Sequence, residues 1–147
     1  MTKIIAIRIR GQVDVSKGIE LTLQMLRLKR KFAATLIEKT KENEGMLKKA
    51  IDYIAFGEIN AETLKQLLMK RARKQGDKPL EFAGKTMDET IKKLLESKTS
   101  LTDLKIKPFF RLHPPIGGFK KSIKLIYPKG VLGNRGPEIN QLVLKML

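Results

Sequence analysis

The sequence predicts an α/β (α+β) fold: a two-layer core with helices on one face of a sheet, a helical insertion, and an extended, turn-rich segment that closes on a helix. Three observations carry this. Residues 1–59 alternate strand-like and helix-like hydrophobic periods, and residues 60–104 hold only helical periods. From residue 105 onward come five of the six prolines and five of the eleven glycines, so residues 105–147 form a basic Pro/Gly-rich segment whose terminal helix packs with the core.

Taken in order, Lys3 to Arg10 (KIIAIRIR) places Ile5, Ile7 and Ile9 on one side and Ile4, Ala6, Arg8 and Arg10 on the other. This is a strand with a core face and a face that turns basic at its end. After GQVDVSKG, with Ser16 as N-cap, IELTLQMLRL spaces Ile19, Leu23 and Leu26 as a helix beside Leu21, Met25 and Leu28, apolar enough to pack closely. It ends in Arg27, Lys29, Arg30 and Lys31, which suit the negative end of a helix dipole. FAATLIEK (32–39) reads as a second strand, Met46, Leu47, Ala50, Ile51 and Ile54 follow a helical period, and YIAFGEI reads as a third strand. In the insertion, Asn60 caps a helix carrying Leu64, Leu67 and Leu68, and Thr86 with Glu89 forms a capping box before Ile91, Leu94 and Leu95. The run KRARK (70–74) reads as a solvated helix end. KIKPFFRL and SIKLIYPKG are extended, GNRG is a turn, and Pro137 opens a final helix of Ile139, Leu142, Val143 and Met146.

Charge narrows the function. The 147 residues hold 31 Lys and Arg against 15 Asp and Glu, a net +16. Eight basic residues face two acidic ones in residues 1–32, fourteen face twelve in 33–104, and nine face one in 105–147. The ends carry the field, and if they meet in space they make one polyanion-docking face, with nucleic acid the expected partner. No run approaches the ~18 apolar residues of a membrane span, and no signal-peptide pattern opens the chain, so a cytoplasmic protein is expected. The absence of cysteine excludes disulfides, thiolate metal sites and cysteine nucleophiles.

Catalytic constellations fare poorly. His113 is the sole imidazole, which excludes histidine-rich metal sites; Ser122 and Asp103 flank it in sequence, without a GxSxG elbow. GKT (84–86) resembles the end of a P-loop, yet the first loop glycine is replaced by Pro79, which offers no N–H. No cofactor, metal or small-molecule substrate is expected. RLHPPIGGFKKSIK (111–124) is the informative stretch. Pro114 and Pro115 restrict the backbone, while Gly117 and Gly118 permit positive φ and close approach to a sugar-phosphate chain. Arg111, Lys120, Lys121 and Lys124 stand by as phosphate partners, with His113 and Phe119 able to stack on an unpaired base. Asn134 and Arg135 repeat the pattern on the glycine-framed GNRG turn. Two other classes remain open on the residues alone: an RNA-processing enzyme using His113, and a basic protein-interaction module.

RLHPPIGGFKKSIK and GNRGPEINQLVLKML, with KIIAIRIRG, LRLKRKF and ATLIEKT, resemble the universal large-subunit ribosomal protein family numbered thirty in the L series. The likeness is to its long archaeal and eukaryotic form, spans essentially the whole chain, and is most specific at the ends. Its short bacterial members correspond to the first sixty or so residues. Eukaryotic members carry a basic N-terminal extension, whereas this chain starts at the first strand and looks archaeal. The resemblance implies a ferredoxin-like core docked on large-subunit ribosomal RNA, beside neighbouring ribosomal proteins and without catalytic activity. It implies RNA contact by Arg111, His113, Pro114, Pro115, Gly117, Gly118, Phe119, Lys120 and Lys121, and by the turn at Gly133, Asn134 and Arg135. The cluster Arg27, Lys29, Arg30 and Lys31 matches a basic segment of the family.

Overall fold

The computed structural model describes residues 3–74, 76, 78, 84–96 and 99–147, with the backbone alone at 84–86. Pro79, which breaks the P-loop pattern, lies outside the described residues, as does most of QGDKPLEFAGK. The elements run β1 (Lys3–Arg8), α1 (Lys17–Met25), β2 (Ala33–Glu38), α2 (Lys41–Lys49), β3 (Ile54–Glu58), α3 (Ala61–Arg71), α4 (Gly84–Glu96), β4 (Phe110–Arg111), β5 (Ser122–Ile126), β6 (Gly130–Asn134), a 3-10 turn (Gly136–Glu138) and α5 (Ile139–Met146). Together the strands make one sheet in the order β4-β2-β1-β3-β6-β5.

The isoleucine-rich β1 is central because both its faces can be buried. It pairs antiparallel with β2 (Ile5 with Leu36) and with β3 (Ile5 with Gly57). On one face Ile4 and Ala6 pack with Leu23, Leu26 and Leu28 at the end of α1 and with Leu47 of α2. On the other, Ile5, Ile7 and Ile9 share a core with the leucines of α3, Met87, Ile91 and Leu94 of α4, and Ile139, Val143 and Met146 of α5. Helices α3, α4 and α5 therefore cover the face of the sheet opposite α1 and α2. This is the ferredoxin-like α+β arrangement, with α1 and α2 as its own helical layer.

Several local expectations shift. Ser16 sits at the N-cap of α1 without a side-chain cap bond, whereas Thr40 caps α2 by accepting from Asn43 N at 3.2 Å. Leu21 and Met25 are 59% and 65% exposed, so the outer side of α1 is apolar but uncovered. α1 has no basic residue in its last turn, so Arg27 to Lys31 belongs to the following loop rather than to the helix end. Gly84 already opens α4, which puts Thr86 inside the helix and not at its cap. The S-x-x-D box stands elsewhere. The Ser100 backbone N–H and hydroxyl both donate to Asp103 Oδ2 at 2.9 Å, and Asp103 N donates back to Ser100 Oγ at 3.3 Å. The single turn it opens closes at Lys105, in the left-handed region at φ 59°, with Ile106 N bonded to Leu101 O at 3.0 Å.

Those bonds hold the Asp103 carboxyl below the ordinary carboxylate value, the backbone N–H more than the hydroxyl. A depressed folded-state pKa stabilises the fold above the unfolded value, and that contribution is lost as pH falls through the folded one. In a carbon-detected titration Asp103 should therefore protonate below an ordinary aspartate, and Ser100→Ala should move its midpoint upward. An unmoved midpoint would contradict the box.

β6 is the main departure. Sequence reading assigns GNRG to a turn, but Gly133 and Asn134 are strand residues paired parallel with Ala55 and Phe56 of β3. Behind this pairing Gly57 lies against the Gly136 carbonyl and Ile139, and any Cβ there would collide with both. Gly57→Ala should cost about 2–3 kcal/mol in urea-unfolding free energy through overpacking. Stability within about 0.5 kcal/mol of the parent would contradict this packing. Nearby, buried Asn140 accepts from Asn60 N at 2.9 Å and donates to Glu58 O and Pro137 O at 3.1 and 2.7 Å. One amide from α5 thus locks the turn between β3 and α3.

Candidate nucleic-acid interface

The site begins where α1 stops. Leu28 N donates to Leu23 O at 2.8 Å and Arg27 N to Gln24 O at 2.9 Å, a Schellman closure that puts Arg27 in the left-handed region at φ 62°. Phe32 takes the same conformation at φ 63°. Each costs about 1–2 kcal/mol in a residue with a Cβ. Between them Lys29, Arg30 and Lys31 are exposed on a tightly bent loop.

Arg8 holds that loop from beneath. The sequence placed it among the RNA contacts, and the structure corrects this, because it is 2% exposed and turned inward. Its Nη1 donates to Leu28 O at 2.8 Å and Lys29 O at 3.2 Å, its Nε to Arg10 O at 3.0 Å, and its Nη2 to Gly11 O at 3.3 Å. Burial lowers its pKa, against the opposing influence of Glu20 and then Tyr53, and an arginine remains charged even so. Arg10 is half-exposed with its guanidinium 5.1 Å from the Tyr53 ring centroid. Gln12 Nε2 donates to Lys29 O at 2.7 Å, so the turn after β1 is tied to the basic loop.

The two basic ends of the chain meet here. β2 pairs antiparallel with β4, Ala33 opposite Arg111, and Leu112 N donates to Phe32 O at 3.0 Å. Phe119 reaches back to stack on Phe32, ring centroids 6.3 Å apart and planes at 27°. That ring is half-buried in the protein's own aromatic pair, so the expectation that it stacks on a base gives way to a structural contact. The result is a cleft of about 410 Å3 lined by Arg27, Lys29, Arg30, Lys31 and Arg111, with Phe32, Ala33, Phe109 and Leu112 as its apolar part. Among the described residues no ion pair engages any of these five cations. Their field is left for an external anion.

Two further clefts continue the surface. One shares Phe109, Arg111 and Leu112 with the first and adds Arg71, Arg73, Lys107 and His113. The other gathers Gly118, Phe119, Lys120, Lys121, Arg135 and Lys145. Between them runs the PPIGG loop, anchored at the end of α5: His113 N donates to Met146 O at 2.9 Å and Ile116 N to Lys145 O at 3.0 Å, which satisfies carbonyls the helix leaves open. Gly117 and Gly118 take φ of 79° and 74°, and Gly118 N closes a turn on Pro115 O at 3.0 Å. Pro114 is exposed, Pro115 buried, and Ile116 at the tip is 79% exposed.

Not every candidate joins this surface. Lys124 is exposed on β5 but lines none of the three clefts. Asn134 ends β6 with its side chain accepting from Gly136 N at 2.9 Å, in a groove that also contains Glu44 and Glu58. Arg135 stacks 5.1 Å over Tyr127, whose other cationic neighbour is Lys121 at 4.9 Å. Glu138 acts on the Tyr127 hydroxyl to raise its pKa above the ordinary phenol value, against the opposing charge of Arg135. Sequence reading missed Arg71, Arg73, Lys107 and Phe109. The signal in KRARK was visible but read as a solvated helix end; what brings it in is Lys107 N donating to Arg73 O at 2.8 Å.

Similarity to known proteins is extensive. Residues 4–54 match the family model for ribosomal protein L30p/L7e. Over nearly its full length the chain is similar to proteins called large ribosomal subunit protein uL30. That of Archaeoglobus fulgidus is 47% identical, covering 95% of this chain and 97% of the relative, and that of Nanoarchaeum equitans 46%, covering 95% and 96%. The Staphylothermus marinus protein is 46% identical over 96% of each chain.

Proposed function

The chain belongs to the ribosomal protein L30p/L7e family in its archaeal form, and from that premise we propose that it is a structural, non-enzymatic constituent of the large ribosomal subunit that binds ribosomal RNA through the three basic clefts. The observation that carries the site assignment is the convergence of Arg27, Lys29, Arg30 and Lys31 with Arg111 around one cleft. Phosphate contacts from this convergence fix position, and the PPIGG loop reads RNA shape. Gly117, Gly118, Lys120, Lys121, His113 and Arg135 extend the same surface. Neighbouring ribosomal proteins are further partners, and the exposed Leu21 and Met25, one turn apart on α1, suit such a neighbour better than RNA does. The site of action is the cytoplasmic ribosome; among the described residues no helix is long and apolar enough to cross a membrane.

Sedimentation of cell lysate tests the assignment directly. The protein should comigrate with the large subunit in low salt and in moderate salt; recovery at the top of the gradient in both would overturn it. With purified protein and large-subunit ribosomal RNA, neutralising about eight phosphates should give a log-log salt slope on the order of −6 to −7. A slope near −1 would sink the three-cleft surface.

A further inference from the structure

Phe109 stands at a position no phosphate-binding surface needs. The neighbouring Phe110 opens β4, is 1% exposed and belongs to the core, while Phe109, immediately before that strand, is only half-buried. It lines two clefts at once: the one rimmed by Arg27, Lys29, Arg30 and Lys31, and the one with Arg71, Arg73 and His113. Arg111 is likewise common to both. Two cationic hollows thus share an aromatic ring in their lining. Phe32 carries both Phe119 at 6.3 Å and Lys31 Nζ at 5.0 Å from its centroid, whereas Phe109 carries Lys107 Nζ at the longer distance of 5.8 Å, a cation that an incoming base would meet beside the ring.

We propose that Phe109 is a stacking platform for one unpaired nucleobase of the RNA, whose flanking phosphates lie in the two cationic hollows on either side. This rests on the RNA-binding reading above and narrows it to a bulge, loop or splayed nucleotide rather than a continuous duplex. A paired base has no face to offer, whereas an unpaired one brings an apolar face and two phosphates together. That combination matches an apolar wall between two clusters of cations. A hollow of about 410 Å3 has room for one base with its sugar. The left-handed backbone at Arg27 and Phe32 bends the rim around it.

The test uses the full chain and large-subunit ribosomal RNA. Phe109→Ala and Phe109→Leu should each weaken binding roughly 5- to 150-fold. The salt slope should stay unchanged, because no charge is removed. Phe109→Tyr should restore affinity, and the leucine variant guards against a loss that reflects packing alone. Ultraviolet irradiation of the wild-type complex should leave a nucleotide on the peptide that carries Phe109. If both truncated variants bind as tightly as the wild type with the same slope, the platform is wrong while the basic surface stands. Losses in the alanine variant alone, with leucine binding normally, also overturn it. If the wild type itself shows no steep salt dependence, the RNA-binding reading fails first and the platform with it.

Discussion

Replacing Lys29, Arg30, Lys31 and Arg111 together by glutamine should flatten the salt dependence of ribosomal RNA binding by about 3–4 in log-log slope. Each phosphate neutralised by a cation adds affinity through release of condensed counterions, worth roughly tenfold at about 0.1 M salt and almost nothing near 1 M. Leaving four phosphates without their cations at one cleft should therefore lower affinity on the order of 10^3-fold at about 0.1 M, with the gap closing as salt rises. The substitutions should leave the fold intact, because all four side chains are exposed and, among the described residues, in no ion pair, and the contact given up is that of Lys31 Nζ with the Phe32 ring at 5.0 Å. The comparison is Lys41, Lys48 and Lys49, exposed cations of α2 that do not line this cleft. Their replacement by glutamine should change slope and affinity far less. Equal losses from the two sets would mean that the net +16 acts as a diffuse field and that the cleft has no special part in binding.

The second large effect is on stability. Arg8→Met keeps an unbranched chain of similar length but removes donors to four backbone carbonyls, at Arg10, Gly11, Leu28 and Lys29. The carbonyl of Leu28 is bonded in a buried position, and methionine cannot replace that donor. A loss of about 3–5 kcal/mol in urea-unfolding free energy is expected. Arg8→Lys should recover part of it, since an ammonium can reach some of these oxygens but lacks the planar fork that spans two turns. The RNA-binding consequence is indirect: with the brace gone the loop from Arg27 to Phe32 loses its support, so affinity should fall without a matching change in salt slope. Full stability in the methionine variant would show that these bonds do not hold the loop.

Arg8 also marks where reading along the chain stops being sufficient. Alternation in KIIAIRIR correctly gives a strand, and by that logic Arg8 shares a side with Ile4 and Ala6. It does, but that side is buried under α1 and α2, and the guanidinium turns inward. An arginine at a strand end looks the same in sequence whether it meets a phosphate or four carbonyls. The insertion shows the same limit. The pattern S/T-x-x-D/E occurs at Thr86 and at Ser100; the second makes the reciprocal bonds, while the backbone at Thr86 already lies inside α4, which starts at Gly84. By contrast Ile139, Leu142, Val143 and Met146 are all buried as their spacing predicts, since a helix's periodicity is set locally by its own hydrogen bonds.

By itself the sequence determined the local periods of β1, β2, β3, α1, α2, α3 and α5, the polyanion-binding charge at the two ends, and the Pro/Gly shape of the PPIGG loop. These follow from properties of residues a few positions apart: β-branching, 3.6-residue spacing, capping chemistry and formal charge. The tertiary structure alone decided that GVLGN is a strand, because its partner β3 lies far back in the chain, and that Arg8 is a brace. It also decided that Phe119 stacks on Phe32, and that Arg71, Arg73, Lys107 and Phe109 join the basic surface. Each depends on pairing between segments distant in sequence, whose register is set by which apolar faces can be buried together, and no local pattern encodes that choice.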